Sequence, residues 1–170
     1  GVQLAIPNTD VALESSLWLQ FMDKQTGKGQ ETVGLSSQVM NYSYTLRTQT
    51  LLWNNTFRVP ILADKSWNMD YIINLGIARN SIKSWMVTPA DPSGPAAAGQ
   101  GYPDQVNNHF AWGFGAGISY QHGDVTFSLD DVYTYLGKIK MGKQASQTTD
   151  QTYQVNKPAT NQILFSVSIA

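Results

Sequence analysis

The chain has 170 residues, a formal net charge of −1 and no cysteine, and only 14% of its residues are charged against 42% hydrophobic. The near-zero charge excludes the basic excess a nucleic-acid binder needs, zero cysteine excludes disulfide frameworks, Cys-ligated zinc and thiol catalysis, and no run approaches the roughly 20 apolar residues of a membrane-spanning helix. Polarity is supplied instead by uncharged side chains, since Asn, Gln, Ser and Thr make up 53 of the residues.

In chain order, Gly1 to Ile6 reads as the end of a strand. It begins without an initiator Met or a signal-peptide pattern, so a processed or truncated product is expected. After Pro7 to Asp10, the segment Val11 to Phe21 sets Val11, Leu13, Ser15, Leu17, Leu19 and Phe21 against Ala12, Glu14, Ser16, Trp18 and Gln20. Successive strand side chains point to opposite faces, so this alternation predicts a strand. Asp23 to Asn41 reads as a long loop. In Tyr42 to Val59, Tyr42, Tyr44 and Leu46 share one phase and Leu51, Trp53, Phe57 and Val59 the other, which predicts a bulge or bend near Thr48 to Leu51.

Pro60 to Ser66 is a short connection. Trp67 to Asn80 then places Trp67, Met69, Tyr71, Ile73, Leu75 and Ile77 on one face, opposite Asn68, Asp70, Ile72, Asn74, Gly76 and Ala78. Met86 to Asn108 is a second long loop, with the Pro/Gly/Ala-rich stretch Ala90 to Asp104 expected to be mobile. Phe110 to Tyr120 alternates most strictly: Phe110, Trp112, Phe114, Ala116, Ile118 and Tyr120 against Ala111, Gly113, Gly115, Gly117 and Ser119. A nearly bare second face fits the inside of a narrow barrel filled by bulkier residues from other strands. Past the short turn Gln121 to Asp124, Val125, Phe127, Leu129, Tyr133 and Tyr135 share a face that Asp131 interrupts. Lys138 to Thr160 is a third long loop, and Asn161 to Ala170 is the last strand.

Seven strands joined by alternately short and long connections match an outer-membrane barrel, which has short periplasmic turns and long extracellular loops. Such bacterial barrels have even strand counts, so the expected fold is all-β: an antiparallel up-and-down transmembrane β-barrel of eight strands, the first missing from this chain. Residues 1–170 then form a single barrel domain presenting loops 23–41, 86–108 and 138–160 to the exterior.

The run from Phe110 to Gly142, FAWGFGAGISYQHGDVTFSLDDVYTYLGKIKMG, resembles the penultimate hairpin of the small opacity/OmpA-like outer-membrane β-barrel superfamily: a Gly-rich strand, a tight turn, an aromatic strand and a Tyr-x-x-Leu-Gly exit, here Tyr133-Thr134-Tyr135-Leu136-Gly137. The closing NQILFSVSIA resembles the family's last strand, which normally ends in an aromatic residue that assists the barrel-assembly machinery; this chain stops at Ala170, one step short. The resemblance implies a bacterial outer-membrane location and, among the family's varied roles, a structural or surface-interaction (adhesin-like) protein.

The candidate chemistry is sparse. His109 and His122 fall at opposite ends of one strand, too far apart for a shared metal or a dyad. A lipid-A deacylase would need a His and a Ser on one outward surface, and no such pair is present. No enzyme activity, cofactor or metal site is therefore expected. Asp130 and Asp131 point to opposite faces, with Asp131 near an interface. Inward Glu14, Asp70 and Asp130 call for inward cations: Arg58, Arg79 given a local phase shift, and Arg47 given the bulge, because an unpartnered buried charge is costly. Tyr42, Tyr44, Trp67, Tyr71, Trp112, Tyr120, Tyr133 and Tyr135, near strand ends, are expected to form the lipid-interface girdle. Lys138, Lys140 and Lys143 are placed to meet lipopolysaccharide phosphates as point charges. The expected partners are outer-membrane lipid and lipopolysaccharide, the barrel-assembly machinery and an extracellular or envelope protein, with no nucleic acid. A narrow pore or hydrophobic-ligand conduit and a soluble ligand-binding β-barrel are the alternatives.

Overall fold

A computed structural model describes residues 2–7, 9–33, 38–91, 102–141, 154–155 and 158–169. Ten strands, and no helix among these residues, make up the chain: β1 (Val2–Ala5), β2 (Ala12–Phe21), β3 (Gln25–Val33), β4 (Gln38–Pro60), β5 (Trp67–Pro89), β6 (Gln105–His122), β7 (Val125–Tyr135), β8 (Ile139–Lys140), β9 (Gln154–Val155) and β10 (Ala159–Ile169). One antiparallel sheet runs β1-β2-β4-β5-β6-β7-β10, with β3 continuing the line of β2 along β4, while β8 and β9 form a separate ribbon.

The sheet is not closed: among the described residues the outer edges of β1 and β10 carry no strand partner. It is nevertheless strongly curled. Leu52 of β4, Ala78 of β5, Ala111 of β6 and Leu136 beyond β7 pack in one cluster with Trp18 and Met22 from the β2 side, and Gln20 Nε2 of β2 donates to Gln162 Oε1 of β10 at 3.4 Å. The short connections after β1, β4 and β6 lie at one end of the sheet, where Lys65 Nζ reaches Asp10 Oδ1 at 2.6 Å from turn to turn.

The first of the three expected long loops is largely strand, and the second is shortened by strand at both ends. β3 and the start of β4 fill most of 23–41, pairing from Gln25↔Leu46 to Val33↔Gln38. β5 runs on to Pro89, and β6 begins at Gln105. In the third, Leu136 N donates to Pro158 O at 2.9 Å and the β8–β9 ribbon follows. The Ala90 to Asp104 stretch lies mostly outside the described residues, as do Lys143 and Ala170.

The expected phase change in β4 is absent. Its even-numbered residues face the buried side throughout, from Met40, Tyr42, Tyr44 and Leu46 to Thr48, Thr50, Leu52, Asn54, Thr56 and Arg58. What changes near Thr48 is polarity, not phase. The irregularities lie in the neighbouring strands. Residues 22–24 oppose only Arg47 and Thr48, and Ser84 and Trp85 oppose Tyr44 alone. An extra residue on one strand produces a bulge of this kind, and Ser84 adopts φ 54° there while its N–H donates to Asp104 Oδ1 at 3.1 Å.

Candidate functional site

Toward the short-turn end the faces are inverted relative to an ordinary soluble sheet. Leu17, Leu19, Phe21, Leu51, Trp53, Ile73, Leu75, Ile77, Phe114, Ile118, Leu129, Phe165 and Ile169 are exposed, with Leu17 at 69% and Phe165 at 71%. The opposite face buries Asn54, Thr56, Arg58, Asn68, Asp70, Asn74, Ser119, Ser128, Asp130 and Thr134, with Asp70 and Asn74 at 0%.

Three glycines on β6 make the crowding on that buried face tolerable. Gly113 pairs Asn74 and Thr134, Gly115 pairs Ile72 and Val132, and Gly117 pairs Asp70 and Asp130. A Cβ at Gly117 would overlap Asp130 Oδ1 and the Leu129 carbonyl. The missing side chains are thus the space that the flanking residues occupy.

The charged cluster sits at this level. Arg58 Nε donates to Asp70 Oδ1 at 3.2 Å and Arg58 Nη2 to Glu14 Oε2 at 3.3 Å, making one guanidinium a bridge between β2 and β5. Ser119 Oγ donates to the same Asp70 oxygen at 3.0 Å, and Ser128 Oγ to Asp130 Oδ2 at 3.0 Å, with Ser166 Oγ 2.6 Å from Ser128 Oγ. Asp70 Oδ2 and Asp130 Oδ1 are buried with no hydrogen-bond partner. Three carboxylates therefore share one cation, and an unbalanced buried charge is costly.

Of the inward cations expected from sequence, only Arg58 takes that place. Arg79 and Arg47 lie exposed on the opposite face, with Lys83 beside them across the β4–β5 pair. Their outward position follows from the intact phase of both strands.

Above Thr48 the polarity reverses. Tyr42, Tyr44 and Trp85 stack on the buried side, each tyrosine ring 5.0 Å from the indole, with Tyr102 edge-on at 5.2 Å. Ile82, Ile139 and Met141 complete this second apolar core. Gly27 and Gly29 of β3 lie under the rings, since a Cβ at either would overlap Tyr44 or Tyr42. Burial pushes the Tyr44 phenol above its usual range, and neighbouring Tyr42 pushes it further. Tyr42 and Tyr44 are thus core residues rather than members of an outer girdle, because their face is the buried one.

The remaining girdle candidates do face outward. Trp67 packs on Tyr120 near the short-turn end with ring centroids 5.0 Å apart. Trp112, Phe114, Tyr133 and Tyr135 cluster farther up. Tyr71 is exposed but stands mid-wall, in the row of Ala116 and Asp131 rather than at either end. Asp131 likewise lies mid-wall, between Leu129 and Tyr133, beside an outer groove of about 410 Å³ that Met69 and Ile163 also line. An outer-face polar trio was not anticipated: Trp53 Nε1 donates to Ser15 Oγ at 2.6 Å, and Ser15 Oγ to Asn55 Oδ1 at 3.0 Å. Its signal was Ser15 and Asn55 on the apolar phase of their strands.

His109 and His122 occupy opposite ends of β6, thirteen residues apart, or about 43 Å at ~3.3 Å per residue. Lys138 and Lys140 are exposed around β8, and Asn107 Nδ2 fastens the ribbon by donating to Lys140 O at 2.9 Å.

No family model matches the chain, and no curated protein matches it either. The functional reading therefore rests on the faces of the sheet.

Proposed function

We propose that the protein is a non-enzymatic, outer-membrane β-barrel whose short-turn half crosses the bilayer and whose β3–β5 extension and β8–β9 ribbon form an exposed surface for interaction. The observation that carries this reading is the double inversion of polarity along β4 and β5. Below Thr48 the outward residues are mainly apolar, with Asp131, Ser15 and Asn55 as exceptions, and the inward ones mainly polar around the apolar Leu52, Ile72, Ala111 and Val132, whereas above it charged residues face out and the Tyr42–Tyr44–Trp85 core faces in. Water on the outside accounts for the upper half and hydrocarbon for the lower, since a soluble protein seldom exposes apolar patches above a few hundred Å².

Dimensions agree. Outward apolar residues on β5 run from Trp67 to Ile77. Ten steps at about 3.4 Å, tilted by about 40°, give roughly 26 Å, close to the ~25 Å apolar band of such barrels. The Trp53–Ser15–Asn55 trio suits the same setting, because polar groups facing lipid must satisfy one another. Arg47, Arg79 and Lys83 stand just above the band, where phosphate-bearing headgroups would meet them. The filled interior around Arg58, Asn74 and Asn80 favours a packed wall over a conduit.

Strand direction is compatible with closure by one added strand. β1 and β10 both run from the long-loop end to the short-turn end, so one strand running the opposite way is antiparallel to both and completes eight.

The test is tryptophan quenching by brominated lipids after reconstitution in vesicles. Trp53, Trp67 and Trp112, examined one at a time with the other tryptophans replaced by Phe, are all expected to be quenched, Trp53 and Trp112, level with Leu75, from deeper in the hydrocarbon band than Trp67 at its short-turn edge, and Trp85 to be spared. Absence of quenching at all three outward positions would overturn the reading. Planar-bilayer recordings separate the conduit alternative, for which a steady conductance is the signature.

A further inference from the structure

We infer that the two open edges accept a single β-strand that carries an inward-facing Arg or Lys, and that this cation completes the interior charge cluster. The inference deepens the barrel reading and rests on it, adding the chemistry of the strand that closes the wall.

Three observations converge on it. The first is geometric: the edges of β1 and β10 are both unpaired and run in the same direction. Joined to each other they would form a parallel pair, whereas one strand running from the short-turn end to the long-loop end pairs antiparallel with both. An odd number of added strands is required, and one is the smallest.

The second is electrostatic. Among the described residues, Arg58 is the one cation paired within the group of Glu14, Asp70 and Asp130, and Asp70 Oδ2 and Asp130 Oδ1 find no partner although Asp70 is 0% and Asp130 8% exposed. Among the described residues no set of His, Asp and Glu converges closely enough to hold a metal ion. The missing positive charge therefore fits a long side chain better than a bound ion, because a guanidinium offers five donors spread over a planar fork.

The third is position. Asp130 lies on β7 and Glu14 on β2, each separated from the open edge by one strand, β10 and β1 respectively. The closing strand thus stands two strands, about 9.6 Å, from either carboxylate along the wall. Across the curled interior a long inward side chain reaches toward both. A strand with inward Glu would add to the repulsion, and one with inward Gln would supply hydrogen bonds without charge.

The experiment offers the 170-residue chain, in detergent micelles, three synthetic strands of eleven residues. All alternate Leu or Val outward with Ser or Thr inward, and they differ in Arg, Gln or Glu at the central inward position. Binding is read by fluorescence anisotropy of the labelled strand, and closure by hydrogen exchange of the β1 and β10 amides. The Arg strand is expected to bind about tenfold more tightly than the Gln strand and to slow exchange at both edges, with the Glu strand weakest. The double substitution Glu14→Gln with Asp130→Asn leaves Asp70 and Arg58 balanced, and should abolish the preference for Arg while keeping binding of the Gln strand. Asp130→Asn alone, which breaks no ion pair, should remove part of it. Equal binding of the Arg and Gln strands overturns the proposal. So do a preference that survives the double substitution, edges that no strand protects, and edges protected without any strand through self-association. Because the measurement is made in detergent, its failure is distinct from a failure of lipid quenching, which would sink the membrane reading alone.

Discussion

Gly117 lies between two carboxylates, and its hydrogen is all that fits there. Gly117→Ala would force Asp130 aside and press on the Leu129 carbonyl; overpacking of this kind costs about 1–3 kcal/mol, to be read as a lowered urea midpoint. Arg58→Met removes the one cation bonded to Glu14 and Asp70. Breaking a buried pair by deleting one partner costs about 3–5 kcal/mol, so this variant is expected to unfold at markedly lower urea. Asp64 behaves differently. Backbone and hydroxyl hydrogen bonds from Ser66 hold its carboxyl below the usual range in a fully exposed turn. The contribution of that turn is fully present above the unfolded carboxylate pKa of about 3.9 and is lost as pH falls through the lower folded value. Protection of the Ser66 amide, measured against its intrinsic exchange rate at each pH, should therefore be lost only in distinctly acidic solution.

Among the elements, β3 shows where sequence patterning falls silent. Gln25–Val33 reads QTGKGQETV, with no apolar alternation. Its outer side meets water, and the side toward the tyrosines is Gly27 and Gly29, shaped by ring contact and not by hydropathy. β6 lies at the other extreme, because large apolar and bare positions alternate without a break and each face was legible residue by residue. The same contrast explains the charged residues. Glu14, Arg58, Asp70 and Asp130 lie on the face that their strand phase indicates, whereas Arg79 and Arg47, which need a phase shift or a bulge to turn inward, keep the outward phase of their strands. Beyond Ala78 the outward residues of β5 turn from apolar to charged, and charge ceases to report which way a side chain points. Tyr42 and Tyr44 were misplaced for the same reason. If the upper core holds the extension together, Trp85→Ala should speed exchange across 25–33 and 38–46 and leave 49–60 unchanged; uniform change along β4 would show that the extension has no separate stability.

For the whole molecule, the expected consequence of an apolar outer wall is intolerance to charge at mid-band. Leu75→Arg or Phe114→Arg places a cation where the proposed bilayer is thickest, at a cost of about 2–4 kcal/mol, and insertion into vesicles should fall accordingly. Lys83→Leu, above the band, should leave insertion intact. Direction, turn placement and the seven strands of the main path follow from periodicity and loop lengths, since both are local, whereas β3 has no apolar alternation and β8 and β9, at two residues each, are too short to show one.

The reversal of polarity near Thr48 also fixes height. A sheet whose outer wall were uniformly apolar could slide along the membrane normal at little cost. Here, sinking by one inward–outward repeat would drag Arg47, Arg79 and Lys83 into hydrocarbon, and rising by the same step would leave Trp67 and Tyr120 stranded in water. In the proposed bilayer the chain would thus carry its own draught line, and the surface proposed to face the exterior would stand at a set distance above the lipid.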